Sequence, residues 1–254
     1  MIDSLTSAFF EALAFDGVWL LLFGTVLAGL VRGFSGFGTA LIYMPFAGTV
    51  LPPVYALATM LIFEVPGTLP LVPRSLRDCH RRDVFRLALG AMLGLPLGLY
   101  LLVRIEPDVF RWLVSLTALI LLGLLVTGWR YHGVISHKMT TGIGGLGGVL
   151  AGASGLAGPP VIMLYMSSRH AVSAIRANIF LYLFLTDVVS LLMLTIAGKL
   201  DHTPLILGLL LTIPYALANI VGAALFRPDQ EKLFRAVAYG LIAFSALSNL
   251  PLIR

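Results

Sequence analysis

Gly33-Phe34-Ser35-Gly36-Phe37-Gly38 and Gly152-Ala153-Ser154-Gly155-Leu156-Ala157-Gly158-Pro159-Pro160 are two copies of one glycine-rich apolar motif. Each copy lies inside a hydrophobic segment long enough to reach the middle of a bilayer. Glycine and proline there interrupt a helix. At membrane depth, interrupted backbone survives only where protein or a watery cavity surrounds it. A duplicated interruption is the sequence pointer to a transporter's binding site.

The composition around the motifs fits that reading. Hydrophobic residues make up 59% of the 254 and charged residues 11%, with a mean hydropathy of +0.97. This is the balance of an all-α polytopic membrane protein, with no length left for a separate soluble domain. The net charge of +5 comes from arginines and lysines scattered between apolar runs. No basic face interleaved with aromatics is present, so nucleic acid is not an expected partner. One cysteine, Cys79, excludes an internal disulfide and a cysteine-based metal cluster. The N-terminus carries Asp3, Glu11 and Asp16 but no basic n-region, so it is expected to be retained.

The apolar runs read as eight helical units, at about 17–51, 54–72, 84–103, 111–129, 139–168, 174–198, 204–226 and 233–252. Units one and five are too long for one simple span, and each holds a glycine motif at its centre. They are expected to be broken or re-entrant there. A shift of 119 places Gly29 on Gly148, Gly33 on Gly152, Ser35 on Ser154, Gly36 on Gly155, Ala58 on Ala177 and Thr59 on Asn178. A shift of 124 places Gly98 on Gly222, Phe110 on Phe234 and Arg111 on Arg235. The chain therefore reads as two four-unit transmembrane repeats, residues 1–130 and 131–254, forming one transmembrane domain.

Positive residues gather on the cytoplasmic side of a membrane. If all eight units cross, nine loop or terminal cations face one side and seven the other, which barely orients the chain. If units one and five are hairpins with the motif at the tip, Arg74, Arg77, Arg81, Arg82, Arg86, Arg130, Lys138, Arg169, Arg176, Arg227, Lys232 and Arg235 share the cytoplasmic side. Only Arg104, Arg111, Lys199 and Arg254 then lie opposite. The hairpin arrangement is favoured. It makes the two halves inverted, each crossing three times.

Several polar residues inside apolar surroundings are candidates for a site. Arg32 directly precedes the first motif. A buried arginine costs on the order of 3 kcal/mol unless paired, so it either binds an anion in the central cavity or is neutralised at an interface or by Glu64. Ser35, Thr39 and Ser154 place hydroxyls beside freed backbone amides. Gly36, Gly38, Gly155 and Gly158 let that backbone approach a ligand. Gly29, Gly33, Gly148 and Gly152 read instead as close helix contacts. Thr59 and Asn178, with Arg176 two residues before Asn178, occupy matching repeat positions and either line the site or cap a helix. Glu64 and Asp187 are intramembrane acids that either relay protons or form fixed ion pairs.

Other chemistries lack support. His80, His132, His137, His170 and His202 fall in or near loops without a metal-ligand spacing. No nucleophile elbow, P-loop or zinc-protease motif is present. Gly142-Ile143-Gly144-Gly145-Leu146-Gly147 follows no strand and is not a dinucleotide loop. No enzyme activity, metal or cofactor is expected.

At these residues the chain resembles the sulfite exporter family TauE/SafE, also described as toluene-sulfonate uptake permeases. The stretch G-F-S-G-F-G-T-A-L with Pro45 downstream, and G-A-S-G-L-A-G-P-P, carry the resemblance. Ala58-Thr59 and Ile175-Arg176-Ala177-Asn178 add to it, and it covers essentially the whole chain. One departure is Ala157, which stands where glycine would match Gly38. The resemblance implies a secondary transporter, an exporter, of small organosulfur anions such as sulfite or sulfoacetate-like sulfonates across a bacterial-type inner membrane. Proton coupling through Glu64 or Asp187 is a physical route for it. An anion channel and a membrane assembly factor stay open as alternatives, as does a homodimer.

Overall fold

The structure, a computed structural model, describes residues 16–127, 136–166, 171–225 and 231–251. Asp3, Glu11, Arg130, His132, Arg169, His170, Arg227 and Arg254 lie outside the described residues, as does the start of the junction between the two proposed repeats.

The described residues form helices and turns. Helix α1 (Val18–Ser35) leads to α2 (Thr39–Val50) and α3 (Pro53–Thr68). A 3-10 turn at Leu69–Leu71 then joins α3 to α4 (Val72–Asp78). Next come α5 (Arg81–Leu102), α6 (Pro107–Thr127), α7 (His137–Ser154), α8 (Gly158–Met166), α9 (Val172–Ile196), α10 (His202–Leu225) and α11 (Glu231–Ser248). Among the described residues, six helices are long and apolar enough to cross a membrane: α1, the α3–α4 run, α5, α6, α9 and α10. Helix α2, with 12 residues, is about 18 Å long, well short of a roughly 30 Å hydrocarbon core. Helix α8 has only 9 residues. Helices α5, α6 and α10 start before the apolar runs at 84, 111 and 204, because each opens on polar residues. Asp83 and Asp108 sit in the first turns of α5 and α6, where an acid complements the positive end of the helix dipole.

Both glycine motifs interrupt helix. Helix α1 ends at Gly36, whose φ is +81°, and α2 is entered through Gly38 at φ +106°. Helix α7 ends at Gly155 at φ +76°. Side chains with a Cβ rarely adopt these left-handed conformations.

The direction of each helix follows from what its glycines touch. Gly24 lies against Phe46 and Gly38 against Val31, so α1 and α2 run antiparallel. Gly29 lies against Tyr215 and Ala218, and Gly33 against Asn219 and Gly222, so α1 and α10 run parallel. Gly208 meets Ile62 and Gly67 meets Tyr215, which aligns α3 with α10. In the other half Gly90, Gly94 and Gly98 meet the backbone of Thr141, Gly145 and Val149 in order, so α5 and α7 run parallel. Gly36 approaches Arg176 while Arg32 lies over Phe180, so α1 and α9 are antiparallel.

The core is built from the short helices and their partners. Tyr43, Phe63 and Tyr215 stack edge to face and tilted, with centroids 4.8 and 4.9 Å apart. Such ring pairs add about 0.5–1.5 kcal/mol beyond area burial. Pro45 has no N–H, so the Leu41 carbonyl loses its helical donor. The Ser245 hydroxyl from α11 reaches it at 3.2 Å. Arg111, buried at the start of α6, donates from Nε to the Asn249 carbonyl at 3.0 Å. Asn249 in turn donates to Ser115 at 3.0 Å. These bonds tie the start of α6 to the end of α11. Large apolar side chains such as Leu93, Ile120, Ile196 and Ile213 face outward, as a lipid-facing surface requires.

Candidate functional site

The two interrupted motifs meet at one small cavity of about 30 Å³. Arg32 lines it from α1, Phe37 and Gly38 from the first break, and Thr39 from the start of α2. Glu64 enters from α3, Asp187 and Leu183 from α9, and Gly155, Gly158 and Pro159 from the second break. The first turns of two short helices therefore face the same space. Such turns carry unpaired N–H groups and the positive end of the helix dipole. The two ends are unequal. Helix α2 begins Thr39-Ala40-Leu41, whose amides can all donate, whereas Pro159 and Pro160 leave α8 without two of its donors.

Arg32 is the cation of the lining. Its side chain is 3% exposed, and Nη2 stands 3.6 Å from the Glu64 carboxylate. That separation is an ion pair without a hydrogen bond. Nε and Nη2 have no hydrogen-bond partner. The guanidinium carbon sits 5.6 Å from the centre of the Phe180 ring, a cation–π contact. At an effective dielectric of about 20, two unit charges at this distance attract by roughly 4 kcal/mol. That keeps Arg32 in the bilayer while leaving two donors unused.

Glu64 has two hydroxyls beside it. Thr39 Oγ1 and Tyr215 OH are 2.9 Å apart, and both lie within interaction range of the Glu64 carboxyl. Asp187 lies within electrostatic reach of both Glu64 and Arg32. The cavity is thus lined by one guanidinium, two carboxyls and the Thr39 hydroxyl, with the Tyr215 hydroxyl behind Thr39, all largely withdrawn from water.

The other sequence candidates sit around this centre. Ser35 is outside the lining: its hydroxyl lies 2.7 Å from the Val31 carbonyl and 2.6 Å from that of Phe37, closing the end of α1. The Ser154 hydroxyl donates to the Leu150 carbonyl at 2.8 Å. Thr59 is fully buried on α3, away from the lining. Asn178 accepts from the His80 amide at 2.8 Å and donates to Tyr165 at 3.0 Å, tying α9 to the start of α5 and to α8. Arg176 is exposed, and its guanidinium covers Gly36 on the outer side of the first break. Tyr215, Phe37, Phe180 and Leu183 complete the centre without having been singled out. Tyr215 had a signal in the sequence: a hydroxyl in mid-span directly after Pro214.

A family model described as sulfite exporter TauE/SafE matches residues 21–249. The chain belongs to this family. A curated relative, the probable sulfite/organosulfonate exporter TauE of Cupriavidus necator, is 26% identical over 227 residues. The alignment covers 86% of this chain and 88% of the relative. No solved structure matches the chain. As a TauE/SafE member with six apolar spans among its described residues, it is a multi-pass membrane protein of a transporter family.

Proposed function

We propose that this chain is a secondary transporter that exports small organosulfur oxyanions, sulfite or sulfonates, across the cytoplasmic membrane. The observation that carries the reading is Arg32: a buried guanidinium with two unpartnered donors, facing a cavity lined by both glycine motifs. A planar fork with free N–H groups matches an oxyanion. The relative's printed name supplies the organosulfur class. A cavity with room for about two waters suits an occluded carrier better than a conducting channel. Glu64 and Asp187 are the proton-coupling candidates. The expected result is uptake of sulfite or methanesulfonate into proteoliposomes, with acetate transported far more slowly. Equal rates for all three anions, or none, would overturn the reading.

The same proposal takes the motifs as tips of re-entrant hairpins in an inverted repeat. The antiparallel α1–α2 pair supports this, since α1 and α3 then point the same way. The reciprocal contacts support it too: α1 packs on α10 through Gly33 and Gly222, and α7 packs on α5 through Gly152 and Gly98, the repeat mates of that pair. Hairpins put Lys199 and Arg104 on one side and Cys79 on the other. Membrane-impermeant thiol labelling is therefore expected to modify Lys199→Cys and Arg104→Cys, made in Cys79→Ser protein, from the same face. Labelling of Lys199→Cys from the face that exposes native Cys79 would support eight simple crossings instead.

A further inference from the structure

The lining contains one cation and two acids, and that imbalance constrains what can bind. The inference rests on Arg32 as the anion ligand proposed above. In the empty protein Glu64 already occupies the position of an anion, 3.6 Å from the guanidinium. The remaining space of about 30 Å³ holds about two waters. A sulfonate head has four heavy atoms and does not fit beside the Glu64 carboxylate. It fits only if that carboxylate gives up its place.

We propose that Glu64 is a tethered stand-in for the substrate, displaced by a monoanion and taking up one proton as it leaves Arg32. The charges balance. Before binding, Arg32⁺ and Glu64⁻ sum to zero; after it, Arg32⁺ faces the bound monoanion and Glu64 is a neutral acid. The proton enters from water together with the anion, and the step is electroneutral. Without the proton, a freed carboxylate would stand unpaired in the membrane interior, which costs several kcal/mol.

The surroundings serve both states of Glu64. Arg32 approaches from α1, Thr39 from α2, Asp187 from α9 and Tyr215 from α10. The two hydroxyls can donate to a carboxylate or accept from a carboxylic acid, because a hydroxyl does both. Arg32 then sets the substrate's charge, because it is the cation of the lining and Glu64 has become neutral. A dianion would leave one negative charge without a counter-charge in the membrane interior. The site therefore selects monoanions: hydrogensulfite rather than sulfite, and simple sulfonates rather than disulfonates.

The test is calorimetry on purified wild-type protein with methanesulfonate, whose charge does not change near neutral pH. Run in Bis-Tris and in Tris, the difference in binding heat is expected to report uptake of about one proton per anion. Affinity is expected to fall about tenfold per pH unit as pH rises, the slope of a single linked proton. Glu64→Gln is expected to bind methanesulfonate with no proton uptake and no such slope. Ethane-1,2-disulfonate is expected to bind at least about tenfold more weakly than ethanesulfonate to wild type. Binding to wild type without proton uptake overturns the inference and leaves the transporter reading standing. Persistence of the slope in Glu64→Gln also overturns it. If no anion binds the wild type, the transporter reading falls and this inference with it.

Discussion

Arg32→Ala is expected to abolish anion binding, leaving no measurable heat or thermal shift with methanesulfonate. The guanidinium is the cation of the cavity, and its unpartnered Nε and Nη2 are the donors an oxyanion would take. The same substitution leaves Glu64 without its counter-charge. Breaking a buried pair costs about 3–5 kcal/mol, so the alanine variant will also be less stable, and loss of binding could follow from loss of fold. The double variant Arg32→Gln/Glu64→Gln separates the two effects. It removes both charges and leaves a polar amide at each position, so its melting temperature is expected to exceed that of Arg32→Ala while binding stays absent. Arg32→Lys keeps the charge and loses the fork. Its affinity is expected to drop at least about tenfold, because an ammonium is a point charge that cannot bridge two oxygens. A well-folded double variant with wild-type affinity would remove Arg32 from the site.

The motifs and Arg32 were legible in the sequence because each breaks a rule of its surroundings: glycine in a span, charge in an apolar run. Both motifs line one cavity. Which hydroxyls would point into the cavity was not legible. Ser35 and Ser154 match across the repeat, yet each hydroxyl is taken by a carbonyl of its own helix. In apolar surroundings a serine within a helix turns back to the i−4 carbonyl when nothing stronger is offered, and spacing alone does not say what is offered. Thr39 differs because it opens a helix. Its hydroxyl is free to meet Tyr215, 176 positions away in the chain.

Asn178 shows a second limit. Its position opposite Thr59 in the repeat suggested a shared axis, but its amide bridges His80 and Tyr165 instead. The His80 amide stands at the head of α5, where no side chain caps the helix. The demand for a partner there comes from another segment and leaves no mark near residue 178. Glu64 was legible as a possible partner of Arg32 because few charges exist inside the spans. That Asp187 joins them, making two acids against one base, depends on how α9 crosses α1 and α3, and charge counting along the chain could not supply it.

Gly33→Ala and Gly98→Ala are expected to be among the most damaging single-methyl changes at the described residues. A Cβ on Gly33 would come closer than 3.0 Å to backbone atoms of Asn219, Gly222 and Ala223. On Gly98 it would come equally close to Val149, Gly152 and Ala153. Backbone cannot swing aside as a side-chain tip can, so the helices must separate. Overpacking of this kind costs about 1–3 kcal/mol. In a membrane it also removes the close packing that holds helices together, since lipid offers apolar side chains an equally good environment. Both α1–α10 and α5–α7 rest on such contacts, and each pair positions one of the breaks that form the cavity. Each alanine is therefore expected to lower the melting temperature in detergent by several degrees, and Gly98→Val to leave no monodisperse protein. Gly123 on α6 and Gly240 on α11 face open space. Alanine there removes the conformational freedom of glycine in a helix, worth about 0.5–1 kcal/mol, and is expected to leave the melting temperature unchanged or raise it. Equal behaviour of Gly33→Ala and Gly240→Ala would mean that α1 and α10 do not approach at backbone contact, and the placement of the first break over Arg32 would fail with them.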